Sequence, residues 1–197
     1  MASQRFFLKT LLFLLFLSFC ALSAAGQVKY EKEIRIDMNQ VPEKALNFIK
    51  NSGIDSKVKW HKELNIDNTS IEAKTTFQST KYSIEFDTLG NLQDVEFIIN
   101  FQDLPDKTQA KIEKQFDSLF SRYKIIKTQT QFSGPPQIIQ QLLKDTKPSD
   151  DYITRYEIVM GGKEKKIMRK FEILTNESGE ILQRNRIRPK NMDNLIY

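Results

Sequence analysis

Cysteine, histidine and glycine are scarce in this chain of 197 residues, with 1, 1 and 7 copies. Cys20 lies in an amino-terminal segment expected to be removed, so the remaining chain has no thiol for a disulfide framework or a thiolate metal site. A hydrolase needs a nucleophile beside a base, most often histidine. His61 follows Trp60 on a strand pattern and there is no G-x-S-x-G elbow, so His61 reads as a solvent-face histidine and no catalytic residue is expected. Phosphate-cradling glycine loops are absent, and Gly161-Gly162, between two strand patterns, reads as a hairpin turn. Asp87 and Asn91 around Gly90 are too few ligands for a calcium loop. No metal and no cofactor is expected.

Residues 1–26 have the layout of a secretory signal peptide. Basic Arg5 and Lys9 precede the apolar run Leu11 to Leu17 and the small residues Ser23, Ala24, Ala25 and Gly26. Cleavage is expected near Ala25 or Gly26, giving a periplasmic or secreted protein of 171 residues. A retained anchor needs about 20 apolar residues, and Lys9, Thr10 and Ser18 interrupt this run. Lipidation at Cys20 is the alternative that would tether the chain to a membrane, although Phe19 stands where a small residue is preferred.

The charge is unevenly placed. From Gln27 to Pro105, 10 Lys and Arg face 13 Asp and Glu; from Asp106 to Tyr197, 18 face 12. This favours an acidic partner on the second half, or attraction between the halves. Nucleic acid is not expected outside the cytoplasm.

Two stretches share a layout. Val41-Pro42-Glu43-Lys44 and Leu104-Pro105-Asp106-Lys107 each open a helical pattern, proline suiting the first position and the acid complementing the helix dipole. Val41, Ala45, Phe48 and Ile49 form one apolar stripe; Leu104, Ile112, Phe116, Leu119, Phe120 and Tyr123 form the other. Four alternating series follow the first helix, Val58 to Trp60, Ile71 to Phe77, Tyr82 to Phe86 and Val95 to Ile99, the pattern of an antiparallel sheet covered on one face. Asp87 and Gly90 mark a turn, and Asn176 and Gly179 stand at the corresponding place in the second stretch. The extra length of that stretch falls in residues 132–151, read as an inserted loop carrying a short helix with Ile138, Ile139, Leu142 and Leu143.

With the tandem order of helix, strands and Asp87-Thr88-Leu89-Gly90-Asn91-Leu92 behind a signal peptide, the chain resembles the PepSY-like, beta-lactamase-inhibitor-like family of exported bacterial proteins. The resemblance implies an α+β fold of two tandem repeats, each one helix plus a four-stranded antiparallel sheet, with helices on one face. The divisions are a leader or edge strand at 27–38, repeats at 39–103 and 104–189, and a tail at 190–197. The family implies binding or inhibition rather than catalysis.

The face opposite the core in the first repeat, with Lys57, Lys59, His61, Glu72, Lys74, Ser83, Glu85, Asp87, Asp94 and Glu96, reads as solvated, which argues against carrying over a beta-lactamase partner. The sharpest surface feature is Arg184, Arg186 and Arg188 at period two, near Arg169 and Lys170. These residues, with Ile138 and Leu142 of the insertion, are the expected contacts for an envelope or extracellular protein. The alternative is a sensor with a small ligand between helix and sheet, near Trp60, Phe77, Tyr82 and Phe97.

Overall fold

The computed structural model describes residues 28–29, 32–65, 68–146 and 151–187. The expected signal peptide, Cys20, Arg188 and the tail from 190 lie outside the described residues.

The proline-acid pairs sit at helix starts. Helix α1 (Glu43–Asn51) follows Pro42 and buries Ala45, Phe48 and Ile49; α2 (Asp106–Leu119) follows Pro105 and buries Thr108, Ile112 and Phe116. An acidic residue opens each, beside the unsatisfied N–H groups of the first turn. A third helix, α3 (Pro136–Leu143), has Pro136 in its first turn and buries Ile139 and Leu143.

The strands are β1 (Val28–Lys29), β2 (Lys32–Arg35), β3 (Lys59–Leu64), β4 (Thr69–Phe77), β5 (Thr80–Asp87), β6 (Leu92–Ile99), β7 (Tyr123–Ser133), β8 (Ile153–Glu164), β9 (Ile167–Asn176) and β10 (Ile181–Ile187). They form one sheet in the order β1-β10-β9-β8-β7-β6-β5-β4-β3-β2, antiparallel throughout except for β1, which joins β10 in parallel.

This corrects the expectation of two helix-plus-four-strand units. β6 and β7 pair from Val95↔Phe132 to Ile99↔Thr128, so no boundary interrupts the hydrogen-bonded ladder. Separate four-stranded units would leave both strands with open edges, and joining them removes those edges. The second half also supplies part of the first core, because Ile139 and Leu143 of α3 are buried with Val41, Phe48, Trp60, Ile84 and Phe86. The other cluster gathers Phe101, Leu104, Ile112, Phe116 and Phe120 over Tyr156, Ile158, Met160, Phe171 and Ile173.

Both clusters lie on one face of the sheet, since the cross-strand row Tyr82, Phe97, Thr130, Tyr156 joins Tyr82, packed on the first cluster, to Tyr156 of the second. Full burial of an aromatic or branched side chain such as Phe86 or Ile84 stabilises the fold by about 1.5–3 kcal/mol.

Gly161 and Gly162 do not form the expected hairpin turn: they lie inside β8, and the chain reverses at Lys165 and Lys166, with φ of 47° and 75°. The need for glycine is steric. A Cβ on Gly162 would come within 2.6 Å of the Phe120 ring, so its absence lets the ring approach the strand backbone closely.

Gly90 and Gly179 have φ of 81° and 82°, a region that favours glycine. Each sits against the helix above it, where a Cβ would come within 2.8 Å of Pro42 Cβ or of the Thr108 carbonyl oxygen. Asp87 Oδ1 accepts the Leu89 and Asn91 N–H groups at 2.9 and 2.8 Å, and Asn176 Oδ1 accepts the Glu180 N–H at 2.8 Å.

Candidate functional site

Alternation sends the polar residues of β3 to β9 to the face that α1, α2 and α3 leave open. Among these, Glu63, Glu72 and Glu96 are only 5, 5 and 7% exposed. The solvated face expected from the sequence is therefore corrected in part: Glu72 and Glu96 are out of water and Glu85 and Asp94 half-buried, while Lys57 and Lys59 are exposed. Strand alternation predicts which side a residue faces, but the coiling of a wide twisted sheet decides whether that side is open or enclosed.

One cross-strand row runs His61, Glu72, Glu85, Asp94, and the adjacent row runs Lys59, Lys74, Ser83, Glu96, Gln131. Residues directly opposite have Cβ atoms about 4.5–5.5 Å apart, and like charges so placed destabilise a sheet. Three consecutive carboxylates in one row are an expensive arrangement.

Part of the repulsion is met by partners. Lys74 Nζ lies 3.0 Å from both Glu33 Oε1 and Glu72 Oε2, and Ser83 Oγ donates to Glu72 Oε1. Burial opposes the Lys74 charge, but Glu72 and Glu33 together hold its pKa above the usual lysine value. Gln129 Nε2 donates to Glu96 Oε2 at 2.9 Å; Gln131 Nε2 reaches Glu96 Oε1 at 3.0 Å and Asp94 Oδ2 at 3.3 Å. Lys127 approaches Glu157 at 3.6 Å.

The remainder is met by protons. Burial, then the charges of Asp94, Glu96, Glu63 and Glu72, push the Glu85 carboxyl up to about 9. Glu96 is raised well above the usual range by burial, then by Glu157 and Asp94, with Lys127 and Gln131 opposing.

The groove over these rows has a volume of about 530 Å³ and is lined from β2 to β9. Carboxylates of Glu33, Glu63 and Glu72 lie within 4.8 Å of one another, but the Lys74 ammonium bridges two of them and occupies the place of a cation. Among the described residues, the buried acceptors on this face without a hydrogen-bond partner include Gln129 Oε1, on a residue 5% exposed that lines the groove, and Ser70 Oγ, on a residue 2% exposed opposite Glu63.

The basic strand residues lie elsewhere. Arg184 and Arg186 pair with Ile173 and Phe171, which puts them on the helix-bearing face near the sheet edge. Arg184 lies over the Phe171 ring at 5.9 Å and 3.6 Å from Glu164, which also accepts from Arg169 at 3.0 Å. Lys170 is exposed. Ile138 is half-buried, and the partly buried Leu142 packs against the first core cluster, remote from the arginines. Between helix and sheet, Phe77, Tyr82, Phe97 and Phe132 form a stack with centroids 5.5–6.4 Å apart, and Trp60 lies 6.1 Å from Phe86. That region is filled by rings.

Sequence reading missed Glu63, Gln129, Glu157 and Glu172 as groove residues. The available signal was the rarity of three acids at non-core positions of adjacent strands, which becomes visible only with the strand register.

No family model matches the chain, and no curated protein matches it in sequence. Two crystal structures are similar in fold. A DUF2874 family protein from Bacteroides ovatus is 9% identical with a TM-score of 0.50, over 74% of this chain and 87% of that one. A protein from Bacteroides eggerthii, provisionally described as periplasmic, is 12% identical with a TM-score of 0.49, over 74% of this chain and 88% of that one. The likeness to the DUF2874 family protein is one of fold.

Proposed function

We propose that this protein is an exported, non-catalytic binding module that takes a cationic ligand on the open face of its sheet. The observation that carries this reading is the burial of Glu63, Glu72 and Glu96 on a face that no helix among the described residues covers. Buried carboxylates held against one another raise the free energy of the empty protein, and a bound cation relieves that cost. The single histidine and the absence of thiols beyond Cys20 support a role without catalysis. Export rests on the layout of residues 1–26, and a PepSY-like, beta-lactamase-inhibitor-like assignment fits the order of elements.

The test compares wild type with Glu85→Lys, which places a fixed cation in the groove. Immobilised wild type is expected to retain a ligand from an envelope fraction that the variant does not; equal retention by both would remove the open face from the function. Cell fractionation checks export, and a full-length chain found only in the cytosol contradicts it.

A second reading is an acidic envelope protein docked at the β8–β9 hairpin. There Ile167 and Met168, both 54% exposed, flank the basic Lys166, Arg169 and Lys170. Apolar area ringed by charge is the composition of a contact surface.

A further inference from the structure

The open-face groove sets three requirements on whatever fills it. It needs positive charge in more than one place, because the acids are spread along rows rather than gathered at a point: Glu72 and Glu85 oppose each other in one, and Glu96 lies in the next. It needs hydrogen-bond donors, because the Gln129 oxygen is buried and without a partner. It needs an apolar portion, because Ile98, 43% exposed, lines it together with those acids. A single metal ion meets only the first in part and leaves most of 530 Å³ empty. A volume of that size is in the range of small-molecule sites, about 300–1,000 Å³.

We infer that the groove binds a linear aliphatic oligoamine, its ammonium groups received by Glu85, Glu96 and the Gln129 oxygen and its methylenes lying along Ile98. This inference rests on the reading of the open face as the binding surface and adds the chemical class of the ligand. Ammonium groups donate and never accept, which matches the carboxylates and the bare amide oxygen within the lining.

The lysines around the groove do not forbid it. Lys57, Lys59 and Lys81 are exposed at the rim and can turn their charge into solvent, where it is screened over about 8–10 Å. Lys74 and Lys127 are held by Glu72 and Glu157. The buried carboxyls have no such freedom.

A proton exchange accompanies binding. Glu85 faces Glu72 from β4 and Asp94 from β6, with Glu63 and His61 on β3 beyond; Glu96 faces Gln131 and Gln129 from β7 and Glu157 from β8, with Lys127 nearby. Near neutrality Glu85 keeps its proton in the empty groove. An ammonium group favours the carboxylate, so the proton leaves for solvent as the ligand enters. Affinity therefore rises with pH until the carboxyl is already ionised in the free protein, near 9.

The experiment is isothermal titration of the full chain with spermidine, from about pH 6 to about pH 8.5, in two buffers of different ionisation enthalpy. Expected are saturable binding, net proton release, and an affinity about tenfold or more tighter at the upper pH. Glu85→Gln and Glu96→Gln, which imitate the protonated groups and keep the fold, are expected to weaken binding and abolish most of the proton release. Arg184→Ala, on the other face, is expected to change neither.

An oligolysine peptide of matched charge separates the possible failures. If the peptide binds and spermidine does not, the oligoamine assignment is overturned while the open face stands as a binding surface. If neither binds at any pH, both fall. Spermidine binding that is unchanged by both Gln variants overturns the assignment as well, since the ligand then lies outside the groove.

Discussion

The two faces of this sheet are built from the same strands and differ in what encloses them. On the covered face, Trp60, Ala73, Ile84 and Val95 are partners under α1 and are nearly or wholly buried. On the open face, one residue along, His61, Glu72, Glu85 and Asp94 are partners, and Glu72 is as buried as Trp60 at 5% exposure. Burial on the first face stabilises by removing apolar surface from water; on the second it forces carboxyls to hold protons or find cations. Equal burial thus has opposite consequences, and the contrast separates what builds the fold from what is available for binding.

The largest effect should come from damaging the covered face. Phe86→Ala removes a fully buried ring that meets Phe48 at 5.6 Å and Trp60 at 6.1 Å, with an expected loss of about 3–5 kcal/mol in denaturant unfolding. A loss below about 1 kcal/mol would show that the α1 core is not tightly packed.

Next in size, Gly162→Val drives a side chain into the Phe120 ring and should cost about 1–3 kcal/mol; Gly161→Ala next door, where a Cβ meets only Met168 Cε at 3.6 Å, should cost far less. Similar costs at both would mean that glycine serves the strand's backbone and not the approach of the ring.

On the open face the sign reverses. Glu85 has a raised carboxyl pKa in the folded chain, so the folded state binds more protons than the unfolded one between the ordinary value of 4.5 and about 9. Stability from this group is fully present below that window and is lost as pH rises through it. Glu85→Gln is therefore expected to raise stability at pH above neutrality by on the order of 1 kcal/mol, read as a higher melting temperature, and to flatten the alkaline decline. A variant that melts lower than wild type at alkaline pH would show that the ionised carboxylate is favourable there.

The smallest change belongs to the basic edge. Arg184→Ala breaks a partly exposed pair with Glu164 and a contact with Phe171, together about 1 kcal/mol or less, and the loss should shrink as salt is added. A large, salt-independent loss would assign Arg184 to the core.

Much of the local structure was legible in the residues. Proline followed by an acid located the starts of α1 and α2, period-two alternation located β3 to β6, and residues 132–151 were read as a loop with a short helix where α3 stands. These are signals within a few residues of chain. The continuity of the sheet through β6 and β7 was not legible, nor was the burial of α3 in the first core, because both depend on partners distant in sequence. The candidate site was half visible: Glu72, Glu85, Asp94 and Glu96 were placed on the correct face, but as solvated groups.

By itself, the amino-acid sequence determined where helices and strands form and which side of each carries apolar groups, because those choices follow from backbone sterics and short-range periodicity. Only the tertiary structure decided that the ten strands share one ladder and that the uncovered acidic side folds into a groove. Electrostatic cost depends on separation and on access to water, and both are properties of the assembled sheet rather than of any one strand.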